Sequence, residues 1–250
     1  MTDVGRMLKK QAKAQNVPLW VIEKDYTLSY VLAGIANTPG LGDRIVLKGG
    51  TALKKVYFPD YRFSEDLDFS TLESGIQLDF DELMKHAVRQ TENQLQERGL
   101  FQVQSERLML REPHPGGQVA FTIRVQFPYH RQPFCRVKVE ISVDELVLLP
   151  PENCSILHDY PEAFSKTVQA YPLAEILAEK LRALLQSYAR MQARGWGASR
   201  VCRDYFDIWQ LLNRGNFTEA NIAQLIEQKC AIKDIAYPAI DDFFHPLLLE

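Results

Sequence analysis

Two aspartates separated by one apolar residue, Asp66 and Asp68, have the side-chain chemistry and the spacing of a metal site. Residues two apart in a β-strand point to the same face, so both carboxylates would project together while Leu67 and Phe69 face the other way. Two adjacent negative charges disfavour ionisation unless a cation joins them. Oxygen ligands with no histidine nearby suit Mg²⁺, or Mn²⁺ in its place, with substrate phosphates completing the shell. The pair therefore predicts a divalent metal bound next to a phosphate.

A Gly-Gly pair, Gly49 and Gly50, precedes these acids and follows Lys48, which ends a strand pattern with the apolar residues 45–47. A glycine turn that opens a helix can direct backbone N–H groups at a phosphate. Each motif alone is weak, because a lone Gly-Gly is usually a turn and a lone Asp-x-Asp is usually a solvated strand end. Their order, with a strand and a helical pattern around them, favours metal-assisted attack on a nucleotide.

Glu140 is the candidate for a third acid. It lies within a strand pattern whose valines and isoleucine alternate with Lys138, Glu140 and Ser142. This alternation places Glu140 on the face opposite the valines, where a sheet could present it beside Asp66 and Asp68. The alternative is an ordinary solvent-facing residue on a half-exposed strand. If it belongs to the site, Glu140 could be a metal ligand or the base for an incoming hydroxyl.

The elements that must position these residues follow from hydrophobic periodicity. Residues 44–48 and 66–70 read as short buried strands, and 101–110, 118–127 and 134–144 as further strands. Helical patterns cover 18–36 and 79–98, and after the proline pair at 150 and 151 they recur from 171 onward, at 203–213 and at 218–229. The fold class is therefore α+β. We expect a mixed-sheet domain at 1–150 and a mainly helical domain at 151–250 that completes the nucleotide site.

The predicted helix after residue 171 carries Glu175, Glu179, Lys180 and Arg182. A solvated helix face with Glu-to-Lys pairing would explain much of this pattern. Lys180 has a second interpretation, because a lysine near a triphosphate would supply positive charge that the two acids cannot.

The segment that follows contains two aspartates, Asp204 and Asp207, three residues apart and hence on one helix face. They could simply be favourable acids in the first turn of a helix. Before them lie four arginines without intervening acids: Arg190, Arg194, Arg200 and Arg203. They suggest a basic loop, which could hold a triphosphate or an RNA backbone or could be an ordinary solvated loop.

Composition limits the class of protein. The chain has 250 residues, a net charge of −3 and 46% hydrophobic residues, which is typical of a globular enzyme of one or two domains. There is no global basic footprint, so contact with nucleic acid would need a local patch. The four cysteines form no C-x-x-C pair and imply neither zinc nor disulfides. With no signal peptide and no apolar run long enough for a membrane span, we expect a cytoplasmic protein.

Taken in order, these motifs resemble the AbiEii/AbiGii-type nucleotidyltransferases, toxins of bacterial abortive-infection and type IV toxin–antitoxin systems that are related to the MenT toxins. The resemblance covers nearly the whole chain. It rests on Ile22-Glu-Lys-Asp-Tyr, Lys48-Gly-Gly-Thr-Ala-Leu, Arg62-Phe-Ser-Glu-Asp-Leu-Asp-Phe, Lys138-Val-Glu-Ile-Ser, the 175–183 segment and Arg203-Asp-Tyr-Phe-Asp. The glycine and acid motifs are shared with the wider polymerase-β-like superfamily, whereas the combination with the last two segments is more specific.

The resemblance implies a role for each matched residue. Asp66 and Asp68 would hold Mg²⁺, with Glu140 as the third acid; Lys180 would contact the triphosphate, and Asp204 would belong to the last motif of the family. The nucleotide would be bound by Lys48, Gly49, Gly50, Thr51, Arg62, Ser64, Lys180 and Asp207. Two departures are that many relatives have serine in place of Thr51 and aspartate in place of Glu140.

The expected reaction is transfer of a nucleoside monophosphate from an NTP to an acceptor hydroxyl, with release of pyrophosphate. The family suggests RNA, particularly tRNA, as the acceptor and a cognate antitoxin as a partner, although acceptors diverge on shared folds. One alternative is a nucleotidyltransferase that modifies a protein or a small molecule. The other is a protein without catalytic activity that binds a nucleotide or an antitoxin.

Overall fold

The structure is a computed structural model that describes residues 3–109, 117–132, 134–195, 201–236, 240–244 and 248. These residues form two compact units. The first contains residues 1–147 and 151–170, and the second contains 148–150 and 171–250. No helix in the described ranges is both long enough and apolar enough to cross a membrane.

The first unit is built on a mixed sheet of seven strands among the described residues. The strands are β1 (Ile45–Lys48), β2 (Asp66–Thr71), β3 (Gln102–Arg107), β4 (Gln118–Gln126), β5 (Cys135–Ser142), β6 (Glu152–Ser155) and β7 (Thr167–Ala170). Their order across the sheet is β3-β4-β5-β2-β1-β7-β6. The pairs β2–β5 and β1–β7 are parallel, and the other neighbours are antiparallel.

The helices of this unit are α1 (Asp3–Gln15), α2 (Leu19–Ala36), α3 (Gly49–Ala52) and α4 (Phe80–Gln96), with a π-helical segment at Leu53–Tyr57 directly after α3. α2 is apolar around most of its circumference and, apart from half-buried Lys24, is buried from Ile22 to Ile35, as expected for a helix enclosed by other elements. It packs on the face of β5 that carries the valines, where the Cys135 thiol lies 3.3 Å from the Thr27 hydroxyl. α4 begins at an Asp79 cap whose carboxylate accepts the Glu82 N–H at 3.0 Å.

The second unit is helical: α5 (Leu173–Arg194), α6 (Val201–Arg214), α7 (Glu219–Ala231) and a short 3₁₀ turn at Ile240–Phe244. Its core is formed where α5 packs on α7, through Ala178, Leu185, Leu225, Ile226 and Cys230. The mainly helical character predicted for this part of the chain is therefore confirmed.

The predicted α+β class is confirmed, and the strands and helices foreseen from periodicity lie within a few residues of their predicted bounds. Two strands were missed. β6 and β7 are four residues each, which is too short for a strong periodic signal, and both belong to the first unit. The predicted domain boundary after residue 150 thus precedes two strands that complete the sheet. All four cysteines have free thiols.

Candidate active site

The glycine turn lies directly against one of the predicted metal-binding acids. β1 ends at Lys48, and α3 begins at Gly49 with a φ of +73°, which is unfavourable for any residue with a side chain. A Cβ placed on Gly49 would lie 3.1 Å from Asp68 Oδ2, closer than ordinary van der Waals contact. Position 49 is therefore restricted to glycine by backbone conformation and by the proximity of a carboxylate.

Asp66 and Asp68 occupy the same face of β2, as their spacing predicts. Both are half-buried, whereas Leu67 and Phe69 between and after them are buried on the opposite face. We refer to the side of the sheet that carries the two aspartates as the acid-bearing face. The geometry that was predicted for the pair is confirmed, while its metal-binding role stays a prediction.

Strand register brings Glu140 into this arrangement. In the parallel pairing of β2 with β5, Asp68 is opposite Glu140, and in the antiparallel pairing of β1 with β2 it is opposite Lys48. The three residues therefore form a row across the acid-bearing face. Glu140 Oε1 is 2.9 Å from the ammonium of Lys138 and accepts a hydrogen bond of 2.9 Å from the Gln118 amide. Glu140 is thus held in place beside the acid pair rather than extended into solvent.

The residues next to the glycine turn connect it to the start of β2. The Thr51 hydroxyl is buried, lies 2.6 Å from the Ser64 hydroxyl and donates to the carbonyl of Asp66. Because the side chains of Thr51 and Ser64 are engaged inside the protein, they fix α3 relative to the acids. The phosphate contact that was predicted for Thr51 stays a prediction. The Arg62 guanidinium lies 5.8 Å from the centre of the Tyr61 ring and donates to the Phe63 carbonyl at 3.4 Å.

A buried ion pair that sequence reasoning missed supports the far end of the glycine helix. Lys55, in the π-helical segment that continues α3, is 1% exposed, and its ammonium lies 2.7 Å from the Asp25 carboxylate of α2. The Tyr160 hydroxyl donates to the same carboxylate at 3.0 Å. Burial lowers the pKa of Lys55, and the attraction of Asp25 opposes this effect. A signal was present for Asp25, which lies in the Ile22-Glu-Lys-Asp-Tyr motif of the family resemblance, whereas Lys55 lies two residues beyond the glycine motif.

The second unit contains its own charged cluster. The Lys180 ammonium lies 2.7 Å from Asp204 Oδ1 and 2.9 Å from Asp207 Oδ2. Burial by itself would lower the pKa of Lys180, but the attraction of the two carboxylates outweighs it and raises the pKa. The aspartates are therefore more than first-turn acids, because they hold this lysine between α5 and α6. Two carboxylates and one ammonium leave a formal charge of −1, so the charge of Lys180 is already balanced.

The solvated helix face that was considered for the 175–182 segment is wrong for Glu175 and Arg182, which are both buried. The Glu175 carboxylate accepts the backbone N–H groups of Leu148 and Leu149 at 2.8 and 2.9 Å and pairs with the buried Lys229 ammonium at 2.7 Å. These contacts hold α5 to α7 and to the segment that enters the second unit.

The predicted basic loop is not a loop where the structure describes it. Arg190 and Arg194 lie in the last turns of α5, and Arg203 lies in the first turn of α6. Arg200 lies outside the described residues. The suggestion that these arginines track an RNA backbone is untested by this geometry.

The donor set fits a divalent metal that is bound mainly by its substrate. Asp66 and Asp68 supply two hard oxygen ligands on one face, and Gly49 leaves the space beside Asp68 clear of a side chain. Within the described ranges, no three His, Cys, Asp or Glu side chains form a group arranged to hold a metal ion. Two carboxylates together with phosphate oxygens would be the Mg²⁺ site, and Glu140 is engaged with Lys138 and Gln118.

A mixed sheet with a glycine turn packed against a strand-borne acid pair defines the nucleotidyltransferase class of fold. The model of a protein family described as the nucleotidyl transferase AbiEii toxin of type IV toxin–antitoxin systems matches residues 30–248. The chain belongs to this family and is a nucleotidyltransferase. Family membership implies a nucleotide substrate and an antitoxin.

The comparison with solved structures supports the fold. The chain is similar to the nucleotidyltransferase toxin MenT4 from Mycobacterium tuberculosis H37Rv, with a TM-score of 0.62 and 21% identity over 96% of this chain and 75% of that one. None of the curated proteins matches the sequence. The family resemblance that was inferred from the motifs is confirmed.

Proposed function

We propose that the protein transfers a nucleoside monophosphate from an NTP to a hydroxyl group of RNA and releases pyrophosphate. The observation that supports the proposal is the close approach of Gly49, at the start of α3, to Asp68 of the acid pair, because backbone N–H groups near two carboxylates suit a phosphate and its metal.

In the proposed reaction the acceptor oxygen forms a bond to the α-phosphorus of the NTP. The bond from this phosphorus to the oxygen that bridges to the β-phosphate breaks, and its electron pair leaves with pyrophosphate. A metal bound by Asp66 and Asp68 would stabilise negative charge on the phosphate oxygens. The backbone N–H groups of α3 would orient the phosphates next to the acid pair.

Glu140 is our candidate for the group that accepts the proton of the acceptor hydroxyl. It is opposite Asp68 in the strand register, and Lys138 and Gln118 fix its carboxylate. A base must lie within hydrogen-bond reach of the proton that it removes, and a carboxylate held beside the acid pair supports such a role. Replacement with glutamine, which cannot accept the proton, is expected to lower the transfer rate while it preserves the fold.

The assignment of Lys180 to the triphosphate, which the family resemblance implies, remains part of the proposal. In the described geometry its charge is balanced by Asp204 and Asp207. A direct role therefore requires the triphosphate to compete for the ammonium, whereas a positioning role does not.

The proposal is tested by incubating the protein with each α-³²P-labelled NTP, Mg²⁺ and total RNA, and separating RNA, protein and small molecules. Asp66→Asn and Asp68→Asn are each expected to abolish labelling of RNA while they preserve the fold. Asp79→Asn is the matched control, since asparagine caps a helix about as well as aspartate.

Two results would refute parts of this scheme. Full activity of Asp66→Asn or Asp68→Asn would exclude a metal site formed by these two aspartates. Label on protein or on a small molecule instead of RNA would show that the acceptor is not RNA. The absence of label from every fraction would favour a binding protein without catalysis.

A further inference from the structure

Basic side chains extend away from the acid pair along the acid-bearing face of β5. Arg136, Lys138 and Glu140 alternate with Val137, Val139 and Ile141, and the latter three are fully buried on the other face. Asp66 is opposite Lys138 in the strand register, so this row continues directly from the aspartates. From Glu140 to Arg136 the strand spans about 13 Å, at about 3.3 Å per residue.

The neighbouring strand adds a second arginine at the far end of this row. Arg124 of β4 is directly opposite Arg136 in the antiparallel pairing, and both lie on the acid-bearing face. Like charges that face each other across two strands are destabilising. Glu106 compensates Arg124 through a 2.9 Å ion pair, whereas exposed Arg136 makes no ion pair with any residue that the structure describes. Arg136 therefore carries the excess positive charge that an external anion would neutralise.

An exposed aromatic ring stands two residues before Arg136. The Phe134 side chain is 63% exposed, and its ring packs edge-to-face on His130 with the centroids 5.6 Å apart. A ring held in this way offers an aromatic surface for an unpaired base, since base–aromatic stacking tolerates any sequence.

We propose that the phosphodiester backbone of a single-stranded RNA segment binds along Lys138, Arg136 and Arg124, with a base stacked on Phe134. The three cations are referred to below as the basic track. A small acceptor whose hydroxyl lies at Glu140 would not extend as far as Arg136. A polyanion whose hydroxyl lies at Glu140 can contact all three cations of the track. The inference rests on the RNA acceptor proposed above, and it places the backbone on β4 and β5 instead of on the arginines of α5 and α6.

The inference is tested with the double variant Arg124→Gln/Arg136→Gln. Binding of a fluorescein-labelled single-stranded RNA oligonucleotide is measured by anisotropy at several NaCl concentrations. The double variant is expected to bind more weakly, with a log–log salt slope that is smaller by about 1.4, or about 0.7 for each lost phosphate contact. Phe134→Ala is expected to weaken binding without changing the slope, because the ring carries no charge.

The matched control is Lys85→Gln/Arg89→Gln, which removes two exposed cations from α4. Its RNA affinity and salt slope are expected to equal those of the wild type. NTP affinity is expected to be the same in all variants. Removal of the like-charge pair should leave the melting temperature of Arg124→Gln/Arg136→Gln unchanged or higher, which separates loss of binding from loss of fold.

A salt slope in the track variant equal to that of the wild type would overturn the inference. The labelling experiment distinguishes this failure from failure of the proposed function. If the wild type labels RNA and the track variant keeps the wild-type slope and KM for RNA, the transferase proposal stands and the track is wrong. If the track variant loses its salt dependence but the wild type labels no RNA, the surface binds RNA and the proposed reaction is wrong.

Discussion

Replacing Gly49 with alanine should damage catalysis through contact with an acid rather than through loss of stability. The backbone there has a φ of +73°, and this left-handed conformation costs a residue with a side chain about 1–2 kcal/mol. The new Cβ would also stand 3.1 Å from Asp68 Oδ2, where ordinary contacts begin at 3.4 Å. The carboxylate must therefore move by at least 0.3 Å, the difference between these two distances.

The expected loss of activity follows from that displacement. A misplacement of about 1 Å can cost a reaction about 100-fold, so a shift of about 0.3–0.5 Å corresponds to roughly a 4- to 10-fold lower transfer rate. The rate is measured as initial incorporation of label into RNA at saturating NTP. The free energy of unfolding is measured in parallel by urea denaturation.

Gly75→Ala is a control from the same unit of the protein. Gly75 has nearly the same φ, +71°, but a Cβ there would meet nothing within 4 Å. Both variants should therefore lose similar stability, and only Gly49→Ala should lose activity. Wild-type activity in Gly49→Ala, or an equal loss of activity in Gly75→Ala, would refute the reasoning.

Three further predictions concern buried charges. Lys180→Met should lower the free energy of unfolding by about 3–5 kcal/mol, because it removes the ammonium that Asp204 and Asp207 share. Adding Asp207→Asn should restore part of the loss in urea denaturation. Lys55→Met should destabilise the first unit by a similar amount. The double variant Lys55→Met/Asp25→Leu should lower the free energy of unfolding by less than the sum of the two single changes. Additive effects in this double-mutant cycle would show that the pair does not interact. Burial raises the pKa of Glu162, but hydrogen bonds from a histidine and a tyrosine outweigh it and lower the pKa to about 2 from 4.5. Glu162 therefore contributes about 3 kcal/mol to the free energy of unfolding above pH 4.5, and this contribution is lost as the pH falls towards 2. Glu162→Gln should flatten the acid side of a plot of the free energy of unfolding against pH.

The local features of the site could be predicted from the sequence because they depend on short repeats of the backbone. Alternation with a period of two residues places Asp66 and Asp68 on one face of β2, and it places Glu140 opposite the valines of β5. The Gly-Gly pair after an apolar run marks the turn into α3. β6 and β7 escaped prediction because a run of four residues contains too little periodicity to distinguish a strand from a loop, even where buried Val168 and Ala170 alternate with less buried residues in β7.

Side-chain partners that are distant in the chain were decided only by the tertiary structure. The register of β2 against β5 places Glu140 opposite Asp68, and a shift by one residue would have moved every side chain of β5 to the other face. Periodicity within either strand contains no information on that register. Packing likewise chose the partners of Lys55 and Lys180, because burial requires each ammonium to meet a carboxylate and the sequence offers many. The sequence by itself thus determined which residues can do chemistry, and the pairing of strands and helices decided which of them meet.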